Sequence, residues 1–181
     1  RYARSRAAVL GDIFSERGYL VLATGNKSEI SIGEASLLGD LTGGFAPLKD
    51  CPKSLVYELA AYREERGAVF PPELLHRPST TKRLGNGDIP AYEILDDILR
   101  RHIEHGEGLT DLVQAGYDQA VVMYVLHRVA AAERTRRYAP PGVKVTSRAF
   151  GQDLHMPISN AWRTHPRVRP DAETTRAASD A

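Results

Sequence analysis

The sequence has one cysteine, Cys51, among 181 residues. A single thiol cannot build an intramolecular disulfide framework or a multi-cysteine zinc centre, and such sparing use fits a reducing compartment. Cys51 also has no histidine at a recognisable spacing, so it reads as inert. No stretch approaches the ~18 consecutive apolar residues of a membrane-spanning helix. The first apolar run is too short for a secretory signal, and no cleavage chemistry follows it. Neither sign of charge dominates. The 24 Lys and Arg against 23 Asp and Glu leave a formal charge of +1, so the whole-chain field steers no nucleic acid. The six histidines show no ligand spacing. His102 and His105 sit near one helix end and read as capping or surface residues. Internal repeats are absent. What remains is a globular chain, cytoplasmic by expectation and large enough to bury one core. It opens Arg1-Tyr2-Ala3-Arg4 without Met, in what reads as the middle of a helix. The expectation is a piece of a longer polypeptide.

Along the chain, Ala7, Ala8, Leu10, Ile13 and Phe14 recur at near-helical spacing over residues 1–17. Gly18 stands where a helix-terminating glycine belongs. Tyr19 to Ala23 is an unbroken apolar run, which predicts a strand buried on both faces, as in a parallel sheet. It runs into the polar loop Thr24-Gly25-Asn26-Lys27-Ser28-Glu29, and ligands of open α/β sheets bind at the carboxyl ends of strands. One or two helical turns are expected over 30–38, then a turn-rich loop to Gly44 and a second short strand over 45–48. Pro52 suits the first turn of a helix whose stripe is Leu55, Val56, Leu59 and Tyr62 and which ends before Gly67. Residues 69–88 read as irregular. Tyr92, Leu95, Ile98, Leu99 and Ile103 form a strong helical stripe; a short helix follows over 109–115, and another, capped by Asp118, runs to about Glu133. Residues 134–148 are basic and carry Pro140-Pro141-Gly142, which predicts a loop or extended arm. Beyond Trp162 the tail lacks large apolar residues and is expected to be disordered.

The run Leu20-Val21-Leu22-Ala23-Thr24-Gly25-Asn26-Lys27-Ser28-Glu29 resembles a signature of the glutamine-dependent NAD synthetases. So do Gly39-Asp40, Gly43-Gly44-Phe45-Ala46-Pro47-Leu48-Lys49-Asp50 and Pro52-Lys53-Ser54-Leu55-Val56-Tyr57-Glu58-Leu59-Ala60. Downstream, Arg77-Pro78-Ser79, Pro90-Ala91-Tyr92-Glu93-Ile94-Leu95-Asp96, Pro140 to Thr146, Arg148 to Gly151 and Pro157-Ile158-Ser159-Asn160 follow in the family's order. Each motif alone is weak; the ordered set, over roughly 1–163, is specific. The resemblance implies an α/β chain with part of the Rossmann-like pyrophosphate-loop ATP hydrolase-like fold (adenine nucleotide alpha hydrolase) and a helical carboxyl-terminal extension. Residues 1–163 would be the carboxyl-terminal part of the synthetase domain and 164–181 a disordered tail.

The activity implied is ATP-dependent amidation. The nicotinate carboxylate of deamido-NAD attacks the α-phosphate of ATP, pyrophosphate leaves, and ammonia displaces AMP from the acyl-adenylate to give NAD. In long family members an upstream glutaminase domain supplies the ammonia, and the synthetase core suggests a homo-oligomer. Such chemistry needs positioning and charge neutralisation at the phosphates, with Mg²⁺ as the usual clamp. The family's Ser-Gly-Gly-x-Asp-Ser pyrophosphate loop does not occur in these 181 residues, so the chain alone is expected to be inactive.

By resemblance, Thr24, Lys53 and Ser79 fall on ATP, and Glu29, Asp40 and Arg136 on deamido-NAD. Glu29 is also the candidate Mg²⁺ ligand of the shorter members. Each has a plainer reading. Asn26 or Ser28 could simply cap a helix after Thr24; Gly39-Asp40 could be an ordinary turn; Lys53 a solvated first-turn lysine; Ser79 a loop serine. The basic run Arg134, Arg136, Arg137, Lys144 and Arg148 could be a solvated face. The sequence departs from the pattern at Thr135, where the family has Lys, with Arg134 or Arg136 as candidate substitutes. It departs again over Lys82 to Pro90, which is shorter and poorer in acids than its family counterpart. These departures motivate a second reading, a non-catalytic nucleotide-binding or interaction domain of the same descent. A third is a related synthetase that amidates another carboxylate.

Overall fold

The computed structural model describes residues 2–36, 39–67, 70–71, 83–84 and 87–159. Helix α1 covers Tyr2–Arg17 and ends as the sequence predicts. Gly18 adopts φ +66° and its N–H bonds to the carbonyl of Phe14 at 2.9 Å. A left-handed residue of that kind closes a helix without a Cβ penalty. Helix α2 is a short turn, Lys27–Ser31, inside the loop after the apolar run. Helix α3 spans Lys53–Glu64. A minimal hairpin pairs β1 (Arg83–Leu84) with β2 (Gly87–Asp88), Arg83 facing Asp88, within a stretch expected to be irregular. Then come α4 (Tyr92–Leu99), continued by a π-helical turn over Arg100–Glu104, α5 (Leu109–Gln114), α6 (Gln119–Ala131) and α7 (Glu133–Arg137).

The larger core cluster lies mostly in the second half and follows from two stripes, with a smaller cluster of Ile30, Ala35 and Leu41 in the first. Leu95, Ile98, Leu99 and Ile103 are buried along α4 and its π turn. Val122, Val125, Leu126 and Val129 are buried along α6. Spacings of three and four place each set on one helix face. Ile32 and Phe150 close the cluster from outside these helices. Fully burying one such side chain stabilises the fold by about 1.5–3 kcal/mol. Asp118 caps α6 as expected, accepting the Val121 N–H at 3.0 Å.

Three expectations need correction. The run from Tyr19 to Ala23 is not a strand buried on both faces. Among the described residues it makes one parallel bridge, Leu22 to Phe45, with the Ala23 N–H on the Phe45 carbonyl at 2.8 Å and the Gly44 N–H on the Val21 carbonyl at 2.9 Å. Tyr19, Leu20 and Leu22 stay more than half exposed, because no second neighbouring strand covers them among the described residues. The strand expected over 45–48 is likewise only the Phe45 bridge, since Pro47 to Asp50 turn. Helix α3 follows Pro52 and ends before Gly67 as expected; none of its residues is buried, and Leu59 and Tyr62 face outward. Finally, the basic arm begins helically, as α7, and only then extends.

Gly43 and Gly142 have to be small. A Cβ on Gly43 would lie 2.8 Å from both the Val21 carbonyl oxygen and the Ala23 nitrogen, and one on Gly142 would lie 2.4 Å from the Ala46 carbonyl oxygen. The second contact is where the extended segment after Pro140 runs beside Ala46, whose N–H bonds to the Pro141 carbonyl at 2.8 Å.

Candidate functional site

Four consecutive residues of the loop after the bridge, Asn26 to Glu29, tie down different parts of the chain. Asn26 caps α2. Its Oδ1 accepts the Glu29 N–H at 3.0 Å, while Glu29 Oε2 accepts the Asn26 N–H at 3.2 Å. This reciprocal pair satisfies two of the donors that a helix start leaves open. The plain capping reading of Asn26 therefore holds, and it does not compete with a role for Glu29: the other oxygen, Oε1, lies 3.3 Å from the Lys53 ammonium. Both side chains are about a quarter exposed, so the pair borders solvent. The ammonium also sits 5.6 Å and 5.7 Å from the ring centres of Tyr57 and Tyr92, within cation–π range. The Tyr92 hydroxyl is pushed well above its usual pKa, first by burial and then by the carboxylates of Glu34 and Glu29.

Lys27 points the other way and is buried. Its ammonium contacts Asp50 Oδ1 at 3.0 Å and Glu104 Oε1 at 3.1 Å. It also donates to Thr146 Oγ1 at 2.6 Å and to the Arg148 carbonyl at 3.0 Å. Asp50 in turn accepts the N–H groups of Val145 and Thr146 at 2.8 and 2.7 Å. A buried cation needs this degree of satisfaction, because desolvation otherwise outweighs the Coulomb gain. The result fastens the Val145–Arg148 strap to α2 and to the π turn. Ser28, also buried, donates to Asp96 Oδ1 on α4 and accepts the Lys53 N–H at 2.8 Å. Cys51 lies beside this cluster; burial, then Asp50, pushes its thiol upward in pKa, and the protonated form is a poor nucleophile.

The other candidates fall as follows. Thr24 is exposed in the loop leading to α2. Asp40 holds the Ser36 hydroxyl at 3.2 Å and the Arg6 guanidinium at 2.9 Å. Ser79 lies outside the described residues. Arg136 departs most from expectation: it is 5% exposed and turned inward. Its Nε and Nη2 donate to Glu133 Oε2 at 3.1 and 2.9 Å, Nη1 to the Ser31 carbonyl at 2.8 Å and Nη2 to the Val129 carbonyl at 2.7 Å. The guanidinium lies over the Phe150 ring at 4.2 Å. The geometry brings Glu29 and Lys53 together and commits Arg136 to the end of α2. Sequence reasoning missed Lys27, Asp50 and Asp96 and gave Ser28 only a capping role; the Ser28–Asp96 and Lys27–Thr146 bonds join residues 68 and 119 apart, and no local pattern signals such pairing.

Chemically, the exposed end of this arrangement offers a carboxylate and an ammonium side by side at the carboxyl end of a strand-like segment. It can meet a phosphate group with the lysine and a cation or polar ligand with the glutamate. Among the described residues no three His, Cys, Asp or Glu side chains come together as a metal site.

Comparison with known proteins accounts for the pattern. A family model described as NAD synthase matches residues 1–139. The glutamine-dependent NAD(+) synthetase of Xylella fastidiosa strain Temecula1 is 42% identical over 167 residues, covering 89% of this chain and 31% of that protein. The enzyme of the same name from Thermotoga maritima is 40% identical over 167 residues, covering 89% and 29%. The crystal structure of a glutamine-dependent NAD(+) synthetase from Cytophaga hutchinsonii superposes with a TM-score of 0.62 at 20% identity, covering 88% of this chain and 28% of the other, and so shares its fold. The chain thus spans less than a third of the length of these relatives, and on the strength of the matched residues it belongs to the NAD synthase family.

Proposed function

We propose that this chain is the carboxyl-terminal part of a synthetase domain that amidates deamido-NAD to NAD with ATP, through an acyl-adenylate. Ammonia would come from glutamine, hydrolysed by a glutaminase domain elsewhere in the full-length protein. The observation that carries the reading is the Glu29–Lys53 pair at 3.3 Å, formed at two positions where the resemblance puts a dinucleotide contact and an ATP contact. The parallel Leu22–Phe45 bridge followed by α2 supports assignment to the Rossmann-like pyrophosphate-loop ATP hydrolase-like fold. On this reading Lys53 neutralises the ATP phosphates, Thr24 and Ser79 contact ATP, and Asp40 contacts deamido-NAD.

Mg²⁺ fits Glu29 only in part-share. One carboxylate at the solvent border suits an ion that takes one or two protein carboxylates and fills its shell with substrate phosphates and water. Bound there, it would neutralise charge on the polyphosphate; the Lys53 ammonium beside it supplies the same sign from the protein. The residues themselves do the positioning: the capping pair fixes Glu29 on α2, and the first turn of α3 fixes the root of Lys53.

The test is NAD formation from deamido-NAD, ATP, Mg²⁺ and ammonium. In the full-length protein, Glu29→Gln should lower kcat by ~10² or more, as loss of one well-placed electrostatic group does, with the circular dichroism spectrum retained. The isolated 181-residue chain should give no NAD. Turnover unchanged by Glu29→Gln would overturn the assignment. Nucleotide binding without turnover in the unmutated full-length protein would favour the second reading, a non-catalytic nucleotide-binding domain. The inward commitment of Arg136, beside Thr135 in place of the family's lysine, is the observation that keeps that reading open.

A further inference from the structure

Helix α3 starts without a cap of its own. The residue before it is Pro52, whose side chain makes no capping bond. The amide N–H groups of the first helical residues need acceptors, and here they come from two other helices. The Lys53 N–H donates to Ser28 Oγ at 2.8 Å, and the Ser54 N–H donates to Asp96 Oδ2 at 2.8 Å. The Ser28 hydroxyl in turn donates to Asp96 Oδ1. One buried carboxylate on α4, 8% exposed, therefore fixes the backbone of both Lys53 and Ser54. Its negative charge is also well placed at the positive end of α3. One helical turn earlier on α4, Tyr92 lies against the ammonium of the same Lys53. Helix α4 thus holds Lys53 at both ends, the backbone through Asp96 and the head through Tyr92.

We propose that Asp96 is a positioning residue of the amidation site: through Ser28 and the first turn of α3 it sets where the Lys53 ammonium stands relative to Glu29. The inference rests on the reading of Lys53 as a phosphate contact. Misplacement of a charged group by about 1 Å can lower a rate ~10²-fold, so a residue that never touches nucleotide governs one that does.

The experiment is a double-mutant cycle in the full-length protein, reading kcat/KM for ATP in NAD formation and hydrogen exchange at the Lys53 and Ser54 amides. Asp96→Asn places an amide N–H₂ against one of two donors. It should lower kcat/KM by ~10-fold or more while Lys53 is present, and should change it less than ~2-fold in a Lys53→Met background. Exchange at residues 53 and 54 should quicken in both backgrounds. A role in general stability would lower kcat/KM by the same factor in both, and that result overturns the proposal. So does an Asp96→Asn protein whose kcat/KM is unchanged. If Lys53→Met alone leaves kcat/KM unchanged, the assignment of Lys53 falls and the proposal falls with it, a failure distinct from the first. Should Asp96→Asn not fold, Ser28→Ala removes only the bridging hydroxyl, and the same cycle with it decides by the same criteria.

Discussion

Glu29 serves two neighbours with one carboxylate: Oε2 closes the capping pair with Asn26, and Oε1 faces Lys53. The local role is what makes the other geometry dependable, because a side chain pinned at one oxygen presents the second in a fixed direction. Arg136 shows the opposite outcome. Its charge is spent inside, on Glu133 and on the Ser31 and Val129 carbonyls. Removing one partner of a buried ion pair is destabilising by about 3–5 kcal/mol, and the low end applies here because Glu133 keeps Arg137 at 2.7 Å. Arg136→Met should therefore lower the thermal midpoint of the full-length protein, with Michaelis constants nearly unchanged in the fraction that folds. A direct substrate contact would do the reverse: charge-assisted bonds of about 1.5–3 kcal/mol would shift KM by roughly 10- to 150-fold at constant stability. The resemblance put Glu29 and Lys53 in one ordered motif set, and the sequence offered Asn26 or Ser28 as the cap, of which the structure uses Asn26. The sequence could not show which of Arg134, Arg136 and Arg137 turned inward, because a basic run looks the same whether its members meet water or a buried glutamate.

At the scale of elements, the stripe on α4 and the capped start of α6 were legible because helical periodicity and capping are local, whereas the buried face of α6, Val122, Val125, Leu126 and Val129, came from the structure. The π turn over Arg100–Glu104 was not legible, and neither was what it achieves. Glu104, its last residue, reaches Lys27 and also accepts from Ser147 at 3.0 Å. The strap after Gly142 is held by this cluster and by Asp50, so three distant motifs are fastened by one lysine. Lys27→Met would leave Asp50 and Glu104 facing each other without a cation between them. The expected result is a loss of about 3–5 kcal/mol and faster tryptic cleavage at the exposed Lys144 and Arg148. Lys27→Met with Glu104→Gln removes one of the two opposed charges and should recover part of both effects. Cleavage at an unaltered rate in Lys27→Met would mean that Gly142's close fit against Ala46, rather than the buried cation, keeps the strap in place.

On the scale of the whole molecule, the bridge between Leu22 and Phe45 sets the parallel sense expected of an α/β fold, but the apolar run around it is half bare. Leu20 and Leu22 are 61% and 54% exposed and, two apart in extended chain, share one face. On α1, Val9, Ile13 and Phe14 add exposed apolar surface. The unbroken apolar run predicted burial on both faces, and the structure departs from that because the described residues supply only one neighbouring segment, through the Leu22–Phe45 bridge. Exposed apolar surface of this sort promotes association, and an unpaired strand edge offers free backbone groups for it. The isolated 181-residue chain should therefore show a weight-average mass that rises with concentration in sedimentation velocity. Leu20→Lys with Leu22→Lys should reduce that rise while leaving the far-ultraviolet circular dichroism unchanged, since neither side chain is in the buried core around Leu95 and Val125. Loss of helical signal in the double variant would instead show that the run already contributes to folding of the helical half, with Leu20 acting through its contact over Gly44.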